Sequence, residues 1–135
     1  DTGEFLRVLV EDEQSKGIPA SRTLIIGFSQ GGAMALHVAL RWPERLAGVV
    51  ALSTYLVLPE LLDAELAPAA AGMPAFFGHG SRDPVVAMAR GREAHDRLAG
   101  RLDAEWRDYP MGHELCSSEV RDLRAWINKV LPPPE

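Results

Sequence analysis

Residues Leu24 to Gly27, LIIG, form a short apolar run with no polar alternation after Thr23. A strand that exposes one face to water alternates apolar and polar residues, whereas a strand covered on both faces does not. The segment Thr23 to Gly27 therefore predicts a buried strand, which needs helices above and below it. The chain directly supplies one. Gln30 to Arg41 has helical spacing and closes at Trp42-Pro43.

The same alternation recurs along the 135 residues. Glu4 to Lys16 reads as a helix with Phe5, Leu6, Leu9 and Val10 on one face and Gly17 as its stop. Leu46 to Leu52 is a second buried strand. Ser53 to Gly72 is looser and rich in Leu, Ala and Pro. Pro74 to Phe77 is a third strand, ended by Gly78-His79-Gly80. Pro84 to Leu98 is a helix with proline in its first turn. Leu102 to Tyr109 is a fourth strand, more alternating and so nearer an edge. Ser118 to Val130 is a last helix with Val120, Leu123, Ile127 and Val130 in a stripe. Strands alternating with helices predict an α/β fold: one parallel sheet in sequential strand order, helices on both faces, three layers in all. The length suits a single domain, residues 1–135.

Composition excludes several functions. Fourteen basic residues face nineteen acidic ones, for a net charge of -5, and there is no basic run. Nucleic-acid binding through phosphate neutralisation is not expected. No apolar stretch approaches the ~20 residues of a membrane-spanning helix. The one cysteine, Cys116, rules out an intrachain disulfide and suits a reducing, cytoplasmic setting.

In parallel sheets, sites form in loops at the carboxyl ends of strands. Ser29 follows the first strand, Asp83 the third and His113 the fourth. These residue types are a nucleophile, an orienting carboxylate and a general base, in the chain order of the α/β-hydrolases. Gly27-Phe28-Ser29-Gln30-Gly31 matches G-x-S-x-G between a strand and a helix, where the nucleophile occupies a sharp turn that needs small neighbours. The backbone N–H of Gln30 can then face a developing oxyanion at a helix N-terminus. The other histidines read differently: His37 as helix packing, His95 as solvated within a charged stretch, His79 as turn chemistry. Cys116 reads as packed or idle, and His113-Glu114-Leu115-Cys116 lacks the second histidine that a metal site would need. No metal or cofactor is expected. Tyr55, Leu56, Val57, Leu58, Leu61 and Leu62 are more apolar than a solvated loop requires. They either line an acyl site, with Tyr55, Leu56 and Leu58 as its candidate contacts, or cap the core.

GFSQGGAMALH, GVVALSTYL, MPAFFGHGSRDPVV and YPMGHELC resemble the phospholipase/carboxylesterase family of small α/β-hydrolases, which includes the acyl-protein thioesterases. The resemblance runs over nearly the whole chain. It implies Ser29 as nucleophile, Asp83 as acid, His113 as base and the Gln30 N–H as oxyanion donor. It further implies hydrolysis of small carboxylic esters or thioesters through an acyl-enzyme, without metal or cofactor. Two features depart from the family pattern. Ala87 stands where members carry proline. Members also carry further strands before the nucleophile, and a Leu-His-Gly-x-Gly loop that gives a second oxyanion donor. The chain thus resembles the carboxyl-terminal portion of an α/β-hydrolase domain, lacking its N-terminal strands. The expectation that follows is an unprotected edge along Thr23 to Gly27, self-association or aggregation through it, and near-inactivity of the 135-residue chain alone. A catalytically incomplete binding half-domain and a serine peptidase are the alternative readings.

Overall fold

The computed structural model describes residues 20–56 and 66–131. The expected helix at Glu4 to Lys16 lies outside them, as do Val57, Leu58, Leu61 and Leu62. Four strands form one parallel sheet in the order β1-β2-β3-β4: β1 Leu24–Phe28, β2 Gly48–Leu52, β3 Pro74–Gly80 and β4 Asp103–Tyr109. Helix α1, Gln30–Arg41, follows β1; α2, Met88–Leu98, follows β3; α3, Ser117–Val130, follows β4. A single turn of 3₁₀ helix at Pro68–Ala70 interrupts the long connection from β2 to β3.

Period-two alternation divides the strands between two cores. Ile25, Val49, Ala51, Ala75 and Phe77 face one way, against Ala35, Leu36, Ala39 and Leu40 of α1 and Ala94 and Leu98 of α2. Val50, Leu52 and Phe76 face the other way, against Trp126, Leu123, Ile127 and Val130 of α3. This is the expected three-layer α/β/α arrangement. β2 is buried at every position, which is why its sequence carries no polar alternation. Phe76 and Phe77 point to opposite faces and are both fully buried. Each contributes about 1.5–3 kcal/mol relative to exposure.

Several boundaries differ from the sequence reading. β3 does not end at Phe77. Gly78, His79 and Gly80 stay in register with Arg107, Asp108 and Tyr109 of β4, so they extend the strand rather than turn it. α2 begins at Met88, not Pro84: in the turn before it the Asp83 side chain accepts the N–H groups of Val85 and Val86, and the Val86 carbonyl is bonded to the His79 ring rather than to α2. The stripe on α3 is shifted too. Val120 is 45% exposed, and Glu119 takes the inward position. His95 is not solvated: its ring packs edge-on against Phe77 and Trp106.

Candidate active site

The site begins with a turn too tight for side chains. A Cβ at Gly27 would run into the backbone of Gly31 and come within 2.6 Å of the Gly32 nitrogen. Only glycine lets β1 pass this close to the first turn of α1. Ser29 lies between them with φ 58° and ψ -123°, a region costing a non-glycine residue about 1–3 kcal/mol. The surrounding structure holds it there. The Ser29 N–H donates to the Leu52 carbonyl at 2.8 Å, and the Thr54 hydroxyl donates to the Ser29 carbonyl at 2.5 Å.

Ser29 occupies the N-cap position of α1, yet its hydroxyl makes no capping hydrogen bond. A capping serine ordinarily turns its oxygen onto the second or third helical N–H. Here Ser29 Oγ instead lies 2.8 Å from His113 Nε2. Across the same imidazole, Nδ1 lies 2.7 Å from Asp83 Oδ2. The acceptor at Asp83 fixes the proton on Nδ1, so Nε2 is left to accept from the serine. The three side chains reach this point from the carboxyl ends of β1, β3 and β4, as expected from the sequence. Phe28 packs against the His113 ring, with centroids 4.8 Å apart.

The Asp83 carboxylate is fully buried. Burial pushes its pKa up. The hydrogen bonds from His113, Val86 and Val85 outweigh that effect, and the net pKa is below the ordinary carboxylate value. Its Oδ1 accepts both valine N–H groups at 2.8 Å, which leaves Oδ2 for His113. The Val85-Val86 pair thus has a defined local role: its backbone fixes the orientation of the carboxylate.

Gln30 is the first residue of α1, so its N–H is among those that no intrahelical carbonyl can satisfy. Tyr55 and Leu56 are half-buried and border a cavity of about 210 Å³ with Arg90, Glu93 and Ala94. The Arg90 guanidinium lies 4.3 Å above the Tyr55 ring. This cavity is less apolar than a wall of leucines would make it. Leu58 lies outside the described residues. Among the described residues, no three His, Cys, Asp or Glu side chains gather to hold a metal ion, and no helix is long and apolar enough to cross a membrane.

His79 reads in the sequence as turn chemistry, and the structure gives it another place. It lies buried on β3, directly behind Asp83. Its signal was positional: Ala75, Phe77 and His79 alternate on one inward face. Thr54 was also missed, and nothing in the sequence marks a threonine as the clamp on a neighbouring loop's carbonyl.

The model of the phospholipase/carboxylesterase family matches residues 2–131. The chain is a member of that family. An acyl-protein thioesterase 1 of Mycosarcoma maydis is 39% identical over 128 residues, covering 90% of this chain and 53% of the relative. The protein of the same name from Neurospora crassa is 40% identical over 133 residues, covering 95% and 54%. The chain therefore spans about half the length of these relatives. Among solved structures, Arabidopsis thaliana SOBER1 superposes with a TM-score of 0.86 at 26% identity, covering 96% of this chain and 62% of that one. Esterase PE8 gives a TM-score of 0.83 at 32% identity, covering 96% and 58%. As a phospholipase/carboxylesterase family member, the chain carries its serine, aspartate and histidine on an α/β-hydrolase sheet.

Proposed function

We propose that the protein containing this chain is a serine hydrolase that cleaves carboxylic esters or thioesters through an acyl-enzyme. The observation carrying this reading is the continuous pair of hydrogen bonds from Ser29 Oγ through His113 to Asp83, at 2.8 and 2.7 Å. Membership of the family supports it, and the relatives named acyl-protein thioesterase support an acyl group as the part of the substrate that is transferred.

In this mechanism Ser29 Oγ attacks the acyl carbonyl carbon as its proton passes to His113 Nε2. The carbonyl oxygen becomes an oxyanion facing the Gln30 N–H, where the N-terminal end of α1 adds a favourable field. The tetrahedral intermediate collapses, and His113 returns the proton to the departing alcohol or thiol. Water then attacks the acyl-serine with His113 as base, and Ser29 is regenerated. Asp83 stays ionised throughout and stabilises the imidazolium each time it forms. The lowered pKa of Asp83 suits that role, because a carboxylate that resists protonation remains charged through the acidic side of the working range.

A fluorophosphonate probe tests the reading. It should label Ser29 and no other residue, and labelling should fall by orders of magnitude in His113→Ala. Equal labelling of wild type and His113→Ala, or a label on a different serine, would overturn it.

A further inference from the structure

The residue behind the carboxylate has no part in the mechanism above. His79 is 1% exposed. Its Nε2 lies 2.7 Å from the Val86 carbonyl oxygen and 3.6 Å from Asp83 Oδ2. A carbonyl can only accept, so Nε2 carries the proton and donates it. Val86 is therefore held at both ends of its residue. Its N–H donates to Asp83 Oδ1 at 2.8 Å, and its carbonyl accepts from His79.

The imidazole is itself fixed. It stacks on Trp106 of β4, with centroids 6.2 Å apart and planes 21° from parallel. Helix α2 closes over its other edge at Gly91, where a Cβ would run into Nδ1 and lie 2.8 Å from Cε1. The glycine in α2 thus leaves room for this ring. A strand, a helix and an aromatic face all converge to hold one N–H donor against one carbonyl.

We propose that His79 is a positioning residue for Asp83. It anchors the turn from Asp83 to Val86, and through the Val86 N–H it sets the orientation of the carboxylate that His113 meets. The proposal rests on the reading of Ser29, His113 and Asp83 given above. Its chemistry requires only a donor at the Nε2 position. Phenylalanine keeps the ring and its stacking but removes the donor. Asparagine keeps a polar group but does not reach that far. Glutamine places an amide N–H close to the Nε2 position.

The test compares wild type, His79→Phe, His79→Asn, His79→Gln and Asp83→Asn in the full-length protein, with a short p-nitrophenyl ester as probe. Two quantities are read: kcat and KM, and the downfield proton resonance of His113 Nδ1–H bonded to Asp83. Removing the donor is expected to lower kcat about 10–100-fold, as small displacements in an active site do, with little change in KM. The Nδ1–H resonance should shift or broaden in the same variants. His79→Gln should recover most of kcat and restore the resonance. If His79→Phe does not fold, His79→Asn carries the same comparison. A folded variant without the donor that keeps wild-type kcat and resonance would overturn the role of His79, while a collapse of kcat in Asp83→Asn would leave the catalytic reading standing. Wild-type kcat in Asp83→Asn would overturn both.

Discussion

In the proposed mechanism Ser29 combines backbone strain with reactivity. Its positive φ puts the hydroxyl where His113 reaches it, and a Cβ is what makes that backbone costly. Ser29→Ala keeps the Cβ and loses the hydroxyl. Ser29→Gly loses both and releases the strain. Both variants should be inactive, yet Ser29→Gly should be the more stable by about 1 kcal/mol, despite glycine's greater freedom in the unfolded chain. Urea unfolding of the pair measures this, and a less stable glycine variant would remove strain from the account. Glu119 is the converse case, a buried group outside the active site. Its carboxylate oxygens have no hydrogen-bond partner among the described residues. Burial, with Asp122 beside it as a lesser cause, pushes its pKa from 4.5 to about 7. A carboxyl group raised in the folded state contributes stability that is intact below about pH 4.5 and lost as pH rises to about 7. Glu119→Gln, which cannot ionise, should therefore match wild type near the acidic end and exceed it above neutrality, by an amount on the order of 3 kcal/mol. Melting temperatures taken across this range check it, and parallel curves for the two proteins would contradict it.

At the scale of elements, the strand-turn-helix unit around Ser29 depends on contact between β1 and α1. Gly27→Ala places a methyl group against the Gly31 and Gly32 backbone, and neither segment can move without breaking the ladder to β2 or the first turn of α1. A loss of about 1–3 kcal/mol is expected, as for other overpacked sites, together with loss of activity. A denaturant midpoint equal to wild type would show that the turn is slacker than described. This unit was legible from the sequence because its signals agree: an apolar run, small residues at fixed spacing and a helical period after them. β3 was less legible. Gly78-His79-Gly80 looks like punctuation, but whether a glycine turns the chain or lets a neighbour approach depends on what packs there. α2 lost its first residues to a side chain: the Val86 carbonyl, which a helix begun at Pro84 would offer to its own next turn, accepts from His79 instead, and proline at position 84 does not reveal that. Glu119 could not be read from α3, because period alone favours Val120 for the inward position. The placement of His95 against Phe77 was available, since Gly91, Ala94, His95 and Leu98 share one face, but the surrounding charges obscured it.

At the scale of the molecule, the sheet is what brings the site together. Ser29, Asp83 and His113 are separated by 84 residues from first to last, yet each follows a parallel strand at the same end of one sheet. Cores on both faces hold those strands in register, so the three side chains need no rearrangement to meet. The sequence could show which polar residues follow each strand. It could not show that His79 and Thr54, from β3 and the loop after β2, hold the carboxylate and the serine carbonyl, because both depend on distances between elements. In the proposed mechanism the acyl group passes through Ser29. The most direct measurement is the intact mass of the full-length protein quenched in acid shortly after mixing with a p-nitrophenyl acyl ester, followed by peptide mapping. One acyl mass increment is expected, on the peptide carrying Ser29, present in wild type and absent from Ser29→Ala and His113→Ala. An increment on Cys116, three residues beyond His113, or one that survives in Ser29→Ala, would contradict it.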